Sequence, residues 1–118
     1  MKTLIKICGL TTASAVECII ENSVDMAGFV FAKQSPRYIT PKNAKQLADL
    51  IPKHISKVAV MLHPTPTEVN EVIDVFKPDY LQMDAKDFLN TYIPKSIESL
   101  KVYRDDGCLD LSLISDSK

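Results

Sequence analysis

A cysteine followed by a glycine closes the first apolar segment of the chain. The segment Thr3–Cys8 reads TLIKIC, Gly9 ends it, and Thr11 follows as a candidate helix cap. Ligands bind at the carboxyl edge of a parallel sheet, and a helix N-terminus favours the thiolate form of a nearby cysteine. A thiolate there could remove a proton as a general base. The alternative is a buried cysteine that acts as a small apolar side chain, and the local pattern by itself favours this alternative.

An arginine and an aspartate follow two other apolar segments. Arg37 lies between Pro36 and Tyr38 in a polar stretch. A guanidinium on a loop at the carboxyl edge could clamp a carboxylate or phosphate, although a solvated surface arginine fits the local pattern better. Asp84 could serve as a catalytic acid, but we interpret it as the N-cap of the helix that follows.

The remaining metal-ligand residue types lack the spacing of a metal site. The cysteines Cys8, Cys18 and Cys108 form no CxxC pair, and their odd number favours a reducing cytoplasm over a disulfide framework. His54 and His63 are too far apart for a helical ligand pair, so we interpret both as non-ligands. We therefore expect no metal.

An acidic segment at residues 105–107 could suggest a calcium site. Asp105, Asp106 and Gly107 follow one another directly and lack the alternating oxygen ligands of an EF-hand loop. We interpret the segment as a turn.

The elements that would position these residues alternate between strand and helix. Capping residues predict helices that begin after Thr11 or Thr12, at Thr40-Pro41 and at Thr65-Pro66, and a short amphipathic helix ends by Pro94. The predicted strands are Thr3–Cys8, Met26–Phe31, Lys57–Leu62, Asp79–Asp84 and Leu100–Arg104. The predicted buried helix positions are Val16, Ile19 and Ile20; Ala44, Leu47, Ala48 and Ile51; and Val69, Val72, Ile73 and Phe76.

A strict alternation of strand and helix predicts a parallel sheet with helices packed on it. Two architectures share this order: a flavodoxin-like open sheet, and part of a (β/α)8 barrel. The pattern alone does not separate them.

Length and charge exclude several classes of protein. The chain has 118 residues, with 14 Lys+Arg against 15 Asp+Glu, and 46% of its residues are hydrophobic. One compact domain fits this length. The near-zero net charge argues against nucleic acid or an anionic membrane surface as a partner. No apolar stretch approaches the ~20 residues of a membrane span, and no secretory signal is recognisable.

Two motifs resemble a known enzyme family. KICGLT (Lys6–Thr11) and GFVFAKQSPRYIT (Gly28–Thr40), in this order and spacing, resemble the phosphoribosylanthranilate isomerase family of tryptophan biosynthesis. The resemblance continues through KVAVML and DYLQ, and more weakly through LKVYR and SLISDSK. It implies a truncated TIM-type (β/α)8 barrel with about five parallel strands, formed by residues 1–118 as one partial domain.

The resemblance also implies a reaction. The family carries out an Amadori rearrangement on a small phosphorylated substrate and uses no cofactor. A general acid opens the ribose ring to a Schiff base, and a general base then removes the C2′ proton. The family's base falls on Cys8, its carboxylate-binding arginine on Arg37, and its acid on Asp116.

The chain also departs from the family's pattern. The family's VQLHG-like segment reads LQMDA, so Asp84 replaces the histidine and Ala85 the glycine. The segment before LISD is too short for a full helical crossover, and residues 105–118 are expected to form a hairpin or a disordered tail. The strands that would bind phosphate have no counterpart. Because such a partial barrel leaves open edges, we expect a homo-oligomer.

Overall fold

The computed structural model describes residues 5–22, 24–89 and 91–102 of the chain. Within these ranges five strands alternate with four helices. They are β1 (Lys6–Cys8), α1 (Ala13–Glu21), β2 (Met26–Val30), α2 (Pro41–Ala48), β3 (Ser56–Val60), α3 (Pro66–Val75), β4 (Tyr80–Asp84), α4 (Ala85–Phe88) and β5 (Glu98–Val102). Among the described residues, no helix is long and apolar enough to cross a bilayer.

The order of the strands decides between the two architectures. The described sheet runs β1-β2-β3-β4-β5, and every neighbouring pair is parallel. A flavodoxin-like sheet would instead place its second strand outside its first. Strands that are adjacent in the order of the chain and joined by helices form the wall of a (β/α)8 barrel. The expected partial barrel is confirmed.

Each of the three longer helices begins at a threonine, as the sequence predicts. Thr12 Oγ1 accepts a hydrogen bond from Ala15 N at 3.2 Å, and Thr40 caps α2 in the same way. At α3, Thr65 and Glu68 form a capping box with two reciprocal hydrogen bonds: Glu68 N donates to Thr65 Oγ1, and Thr65 N donates to Glu68 Oε1. These caps satisfy backbone donors that have no partner inside a helix and so fix where each crossover starts.

The core lies between the helices and one face of the sheet. Phe76, at the end of α3, packs edge-on against Phe29 and Phe31 at ring-centroid distances of 5.2 and 5.1 Å. Of the expected α1 stripe, Val16 and Ile19 are buried, but Ile20 is 37% exposed, so that part of the prediction is wrong. Ile20 lies about 100° further round the helix than Ile19, beyond the face that meets the sheet.

Several element boundaries differ from the predicted ones. β5 begins at Glu98 rather than Leu100, because Glu98 pairs with Tyr80 at the start of the neighbouring strand. The helix after β4 has only four residues and ends well before Pro94.

Several predicted features lie outside the described residues. They are Thr3, the predicted start of the first strand; Arg104, the predicted end of the fifth strand; Cys108; the turn at 105–107; the tail 105–118; and Asp116.

Candidate active site

One row of the sheet runs from Cys8 across all five described strands. The parallel register pairs Cys8 with Gly28, Gly28 with Val58, Val58 with Tyr80, and Tyr80 with Glu98. Residues paired in this way direct their side chains to the same face of a sheet. This face is opposite the face that carries Ala27, Phe29, Ala59 and Leu81 of the helix-covered core. We call it the inner face, because in a barrel it would face the interior.

Cys8 ends β1 and packs tightly against the neighbouring strand. A Cβ atom on Gly28 would lie only 3.2 Å from Cys8 Sγ and 3.2 Å from its Cα. The Gly28 carbonyl also accepts hydrogen bonds from Gly9 N at 3.0 Å and Leu10 N at 3.2 Å. The partly buried thiol is therefore held at the carboxyl edge of the sheet, where the sequence placed it.

The loop after β2 that carries Arg37 is fixed by its own backbone. Ile39 N donates to Val30 O at 3.0 Å, so the chain returns to the end of the strand it has just left. Inside the loop, Ser35 Oγ accepts from Arg37 N at 3.1 Å, and Ser35 O accepts from Tyr38 N at 3.1 Å. Arg37 thus extends from a closed turn rather than from an open connection.

Arg37 contacts Gly9, the residue that follows Cys8. The Arg37 side chain lies so close to Gly9 that a Cβ atom there would overlap with Arg37 Cδ and lie 3.3 Å from both Nε and Nη1. Gly9 also has a φ of +87°, a conformation that other residues rarely adopt. The guanidinium therefore lies over the residue next to the cysteine. A planar cation at this edge of the sheet can bind the carboxylate of a ligand.

Asp84 is the N-cap residue of α4, as predicted, but its side chain makes no capping hydrogen bond to the helix. Instead, Asp84 Oδ2 lies 3.5 Å from His63 Nε2, and the other ring nitrogen, Nδ1, lies 3.1 Å from Asp87 Oδ2. The register places Asp84 on the inner face, opposite Val102. The three side chains form a polar cluster at the ends of β3 and β4.

The sequence pattern does not indicate this cluster when His63 is considered as a ligand only together with His54. His63 follows β3 and Asp84 ends β4, and the carboxyl ends of adjacent parallel strands lie at the same edge of a sheet. This topology places the two residues together. Asp87 would have followed from its position one helical turn after Asp84.

Comparison with known proteins agrees with the two motifs. Residues 5–112 match the family described as N-(5'phosphoribosyl)anthranilate (PRA) isomerase. The chain belongs to this family.

The relatives of this phosphoribosylanthranilate isomerase family member are considerably longer. It is 39% identical over 87 residues to the N-(5'-phosphoribosyl)anthranilate isomerase of Rhizobium etli (strain CIAT 652), a match that covers 74% of this chain and 39% of that protein. It is 38% identical over 109 residues to the enzyme of the same name from Streptococcus gordonii, which covers 91% of this chain and 54% of the relative. The chain thus spans about half, or less, of the length of these relatives.

Solved structures of the family share the fold. Phosphoribosyl anthranilate isomerase from Thermus thermophilus superposes with a TM-score of 0.74 at 20% identity, covering 88% of this chain and 53% of that one. The enzyme from Thermotoga maritima gives 0.73 at 24% identity, covering 86% and 51%. A third structure, also at 0.73 and 24% with 86% and 54% covered, holds reduced 1-(O-carboxyphenylamino)-1-deoxyribulose 5-phosphate. The described strands correspond to part of these proteins' fold.

Proposed function

We propose that this chain carries the proton-abstracting and carboxylate-binding part of a phosphoribosylanthranilate isomerase site. The observation that supports this most directly is the placement of Arg37 over Gly9, the residue that follows Cys8. The substrate of such an isomerase joins an aromatic carboxylate to the sugar through one nitrogen. A cation that binds the carboxylate would therefore bring the sugar carbon close to the cysteine.

The proposed reaction moves protons and needs no redox partner. A general acid protonates the ribose ring oxygen, and the C1′–O bond breaks to give a Schiff base with a free C4′ hydroxyl. The Cys8 thiolate then takes the C2′ proton; the electrons of the C–H bond form the C1′–C2′ double bond of an enolamine, and the C1′=N π electrons return to nitrogen. Tautomerisation of the C2′ enol gives the ketone, with the product a 1-(2-carboxyphenylamino)-1-deoxyribulose 5-phosphate.

The acid of this scheme is assigned to Asp116, by resemblance of the segment LISD to the family's sixth-strand segment. Asp116 lies outside the described residues. The assignment is tested separately from that of Cys8: Asp116→Asn should lower turnover while the thiol of Cys8 remains reactive toward alkylating reagents.

The proposed ligand is a small phosphorylated aminosugar that carries a carboxylate. A family structure with the same fold holds a reduced carboxyphenylamino deoxyribulose phosphate, which combines these groups. Binding of the phosphate requires donors beyond β5, because barrels of this kind bind phosphate after strands seven and eight.

We further propose that the chain assembles as a homo-oligomer. β1 and β5 are the edge strands of the described sheet, and each presents an exposed apolar side chain, Ile7 at 40% and Val102 at 37%. Edge strands of this kind pair readily with other strands. Light scattering at high protein concentration should give at least twice the mass of one chain; the mass of a single chain would contradict the proposal.

A reducing cytoplasm is proposed as the compartment. The odd number of cysteines supports this compartment, as does the free state of Cys8 and Cys18 in the described part of the chain.

A second candidate function is a binding module without catalysis. It is favoured by Asp84, which ends β4 where the family's pattern has a histidine and which lies 3.5 Å from His63. A site that binds the carboxylate but does not hold the phosphate would lose remote binding energy, and this loss would lower turnover as well as affinity. Such a module would bind the anthranilate carboxylate through Arg37 and release it unchanged.

One assay separates the two candidates. Phosphoribosylanthranilate is added to the purified chain, and the loss of its fluorescence is followed with time. The isomerase proposal predicts turnover that Cys8→Ala lowers by at least about 10²-fold, since general-base catalysis contributes that much or more.

The matched control is Cys18→Ala, which removes an exposed thiol on α1 and should leave the rate unchanged. Equal rates in Cys8→Ala and the unaltered chain, or no turnover in either, would contradict catalysis through Cys8. Saturable binding without turnover would favour the binding module.

A further inference from the structure

The polar cluster at the ends of β3 and β4 has the composition of a metal-binding site. His63 lies in the loop after β3, Asp84 ends β4, and Asp87 lies in α4. One imidazole nitrogen and one oxygen from each carboxylate all lie within 4.8 Å of one another. These residue types and this proximity differ from the cysteine and arginine that carry the proposed isomerase site.

The two carboxylates lie on either side of one imidazole ring. His63 Nε2 lies 3.5 Å from Asp84 Oδ2, and Nδ1 lies 3.2 and 3.1 Å from the two oxygens of Asp87. An ion binds only one of the two ring nitrogens, so the measure that matters is the 4.8 Å within which one nitrogen and one oxygen of each carboxylate lie. Neighbouring ligands of a tetrahedral zinc ion are about 3.3–3.6 Å apart, so binding would draw these three atoms closer together.

The burial of the three residues points the same way. The Asp84 and Asp87 side chains are only 10% and 18% exposed, whereas the His63 ring is 58% exposed. Both carboxylates face the same imidazole, and a divalent cation bound among the three groups would be the largest local charge of the site. The exposed imidazole leaves an open path from solvent to the carboxylates, which an entering ion requires.

We propose that His63, Asp84 and Asp87 bind one divalent transition-metal ion of the zinc and cobalt class. One nitrogen and two oxygen ligands favour this class over calcium, which takes six to eight oxygens. Three protein ligands leave a position for water or for an anionic group of a small molecule. This site stands independently of the proposed isomerase function.

Cobalt(II) reports on the site directly, since its visible absorption depends on the ligands. Titration of the full chain with Co²⁺ should saturate at one ion per chain, without the intense near-ultraviolet band that a thiolate ligand produces. Zn²⁺ should displace it. His63→Gln and Asp87→Asn should each weaken Zn²⁺ binding, measured by calorimetry, by about tenfold or more.

The matched controls are His54→Gln and Asp74→Asn, which alter an exposed histidine and an exposed aspartate outside the cluster and should leave the affinity unchanged. In the unaltered chain, Co²⁺ should broaden the NMR signals of the His63 ring and spare those of His54. This measurement needs no variant and so does not depend on how a substitution affects folding. The absence of any binding, a thiolate band, unchanged affinity in His63→Gln, or broadening of His54 instead would each overturn the proposal.

Discussion

The Arg37 side chain occupies the space in which any side chain at position 9 would begin. Gly9 Cα faces Arg37 Cδ, Nε and Nη1, so the loop after β2 closes directly onto the turn after β1. The proposed carboxylate clamp can therefore contact the residue next to the proposed base, Cys8, only because that residue is a glycine. Two separate segments of the sequence are joined at a point where only a hydrogen atom fits.

Gly9→Ala should displace Arg37 and strain the turn. The φ of +87° is unfavourable for alanine, and we expect the free energy of unfolding to fall by about 1–2 kcal/mol. The affinity for a carboxylate ligand should fall as well, because the guanidinium moves away from Cys8. Urea unfolding and calorimetric titration with anthranilate measure the two effects.

The double variant Gly9→Ala/Arg37→Ala separates strain from overlap. Removing the arginine relieves the contact but not the backbone strain. Gly9→Ala should therefore cost less stability in the Arg37→Ala variant than in the unaltered chain. Strictly additive losses would show that Arg37 and residue 9 do not meet.

Gly28→Ala tests the tight packing on the other side of Cys8. The new Cβ would lie 3.2 Å from Cys8 Sγ, closer than ordinary contact, so the thiol must move. We expect a loss of about 1 kcal/mol in stability and a changed rate of alkylation of Cys8, followed by mass spectrometry of the Cys8 peptide. Cys8→Ala in the same background removes the sulfur and should recover part of the stability. A thiol that reacts at the unaltered rate would contradict the packing.

Much of this fold could be predicted from local signals. Thr40-Pro41 and the box formed by Thr65 and Glu68 fixed two helix starts, because a cap depends only on residues within one turn. The apolar run after Lys57 correctly indicated a buried parallel strand, because such strands have apolar residues on both faces. Cys8 could be placed at the carboxyl edge because it ends such a run.

Other features depend on distant parts of the chain and left no local signal. Ile20 looks like a core residue on the helix, but the sheet does not reach it. The pairing that starts β5 at Glu98 is set by Tyr80 of the neighbouring strand. The contact of Arg37 with Gly9 likewise joins two loops, so neither segment alone predicts it.

Arg37→Lys should weaken the proposed carboxylate clamp while keeping the charge. A lysine ammonium is a point charge, whereas a guanidinium donates two parallel hydrogen bonds to a carboxylate. We expect anthranilate to bind about tenfold more weakly, from the loss of one charge-assisted hydrogen bond. Lys33→Gln, which removes a cation from an exposed position of the same loop, is the control and should change affinity little. If the two substitutions weaken binding equally, the arginine acts only through general electrostatic attraction.

Asp79 joins three strands at the amino edge of the sheet. Its carboxylate Oδ2 accepts from Lys57 N at 2.8 Å, its own N donates to Lys57 O at 2.9 Å, and its carbonyl accepts from Glu98 N at 3.1 Å. Asp25 repeats this arrangement before β2, where its Oδ2 accepts from Ile5 N at 2.8 Å.

Asp79→Ala should therefore lower the free energy of unfolding by about 1–2 kcal/mol, because the side-chain acceptor for Lys57 N is lost while the backbone bonds remain. Asp79→Asn keeps an oxygen that can accept from the same donor and should recover a good part of the loss. Asp74→Ala, on the exposed side of α3, is the control and should stay within about 0.5 kcal/mol of the unaltered chain. Urea unfolding followed by circular dichroism measures all three. If Asp79→Ala is as stable as Asp74→Ala, the Asp79 carboxylate contributes nothing to stability, and the backbone pairing alone holds the strands in register.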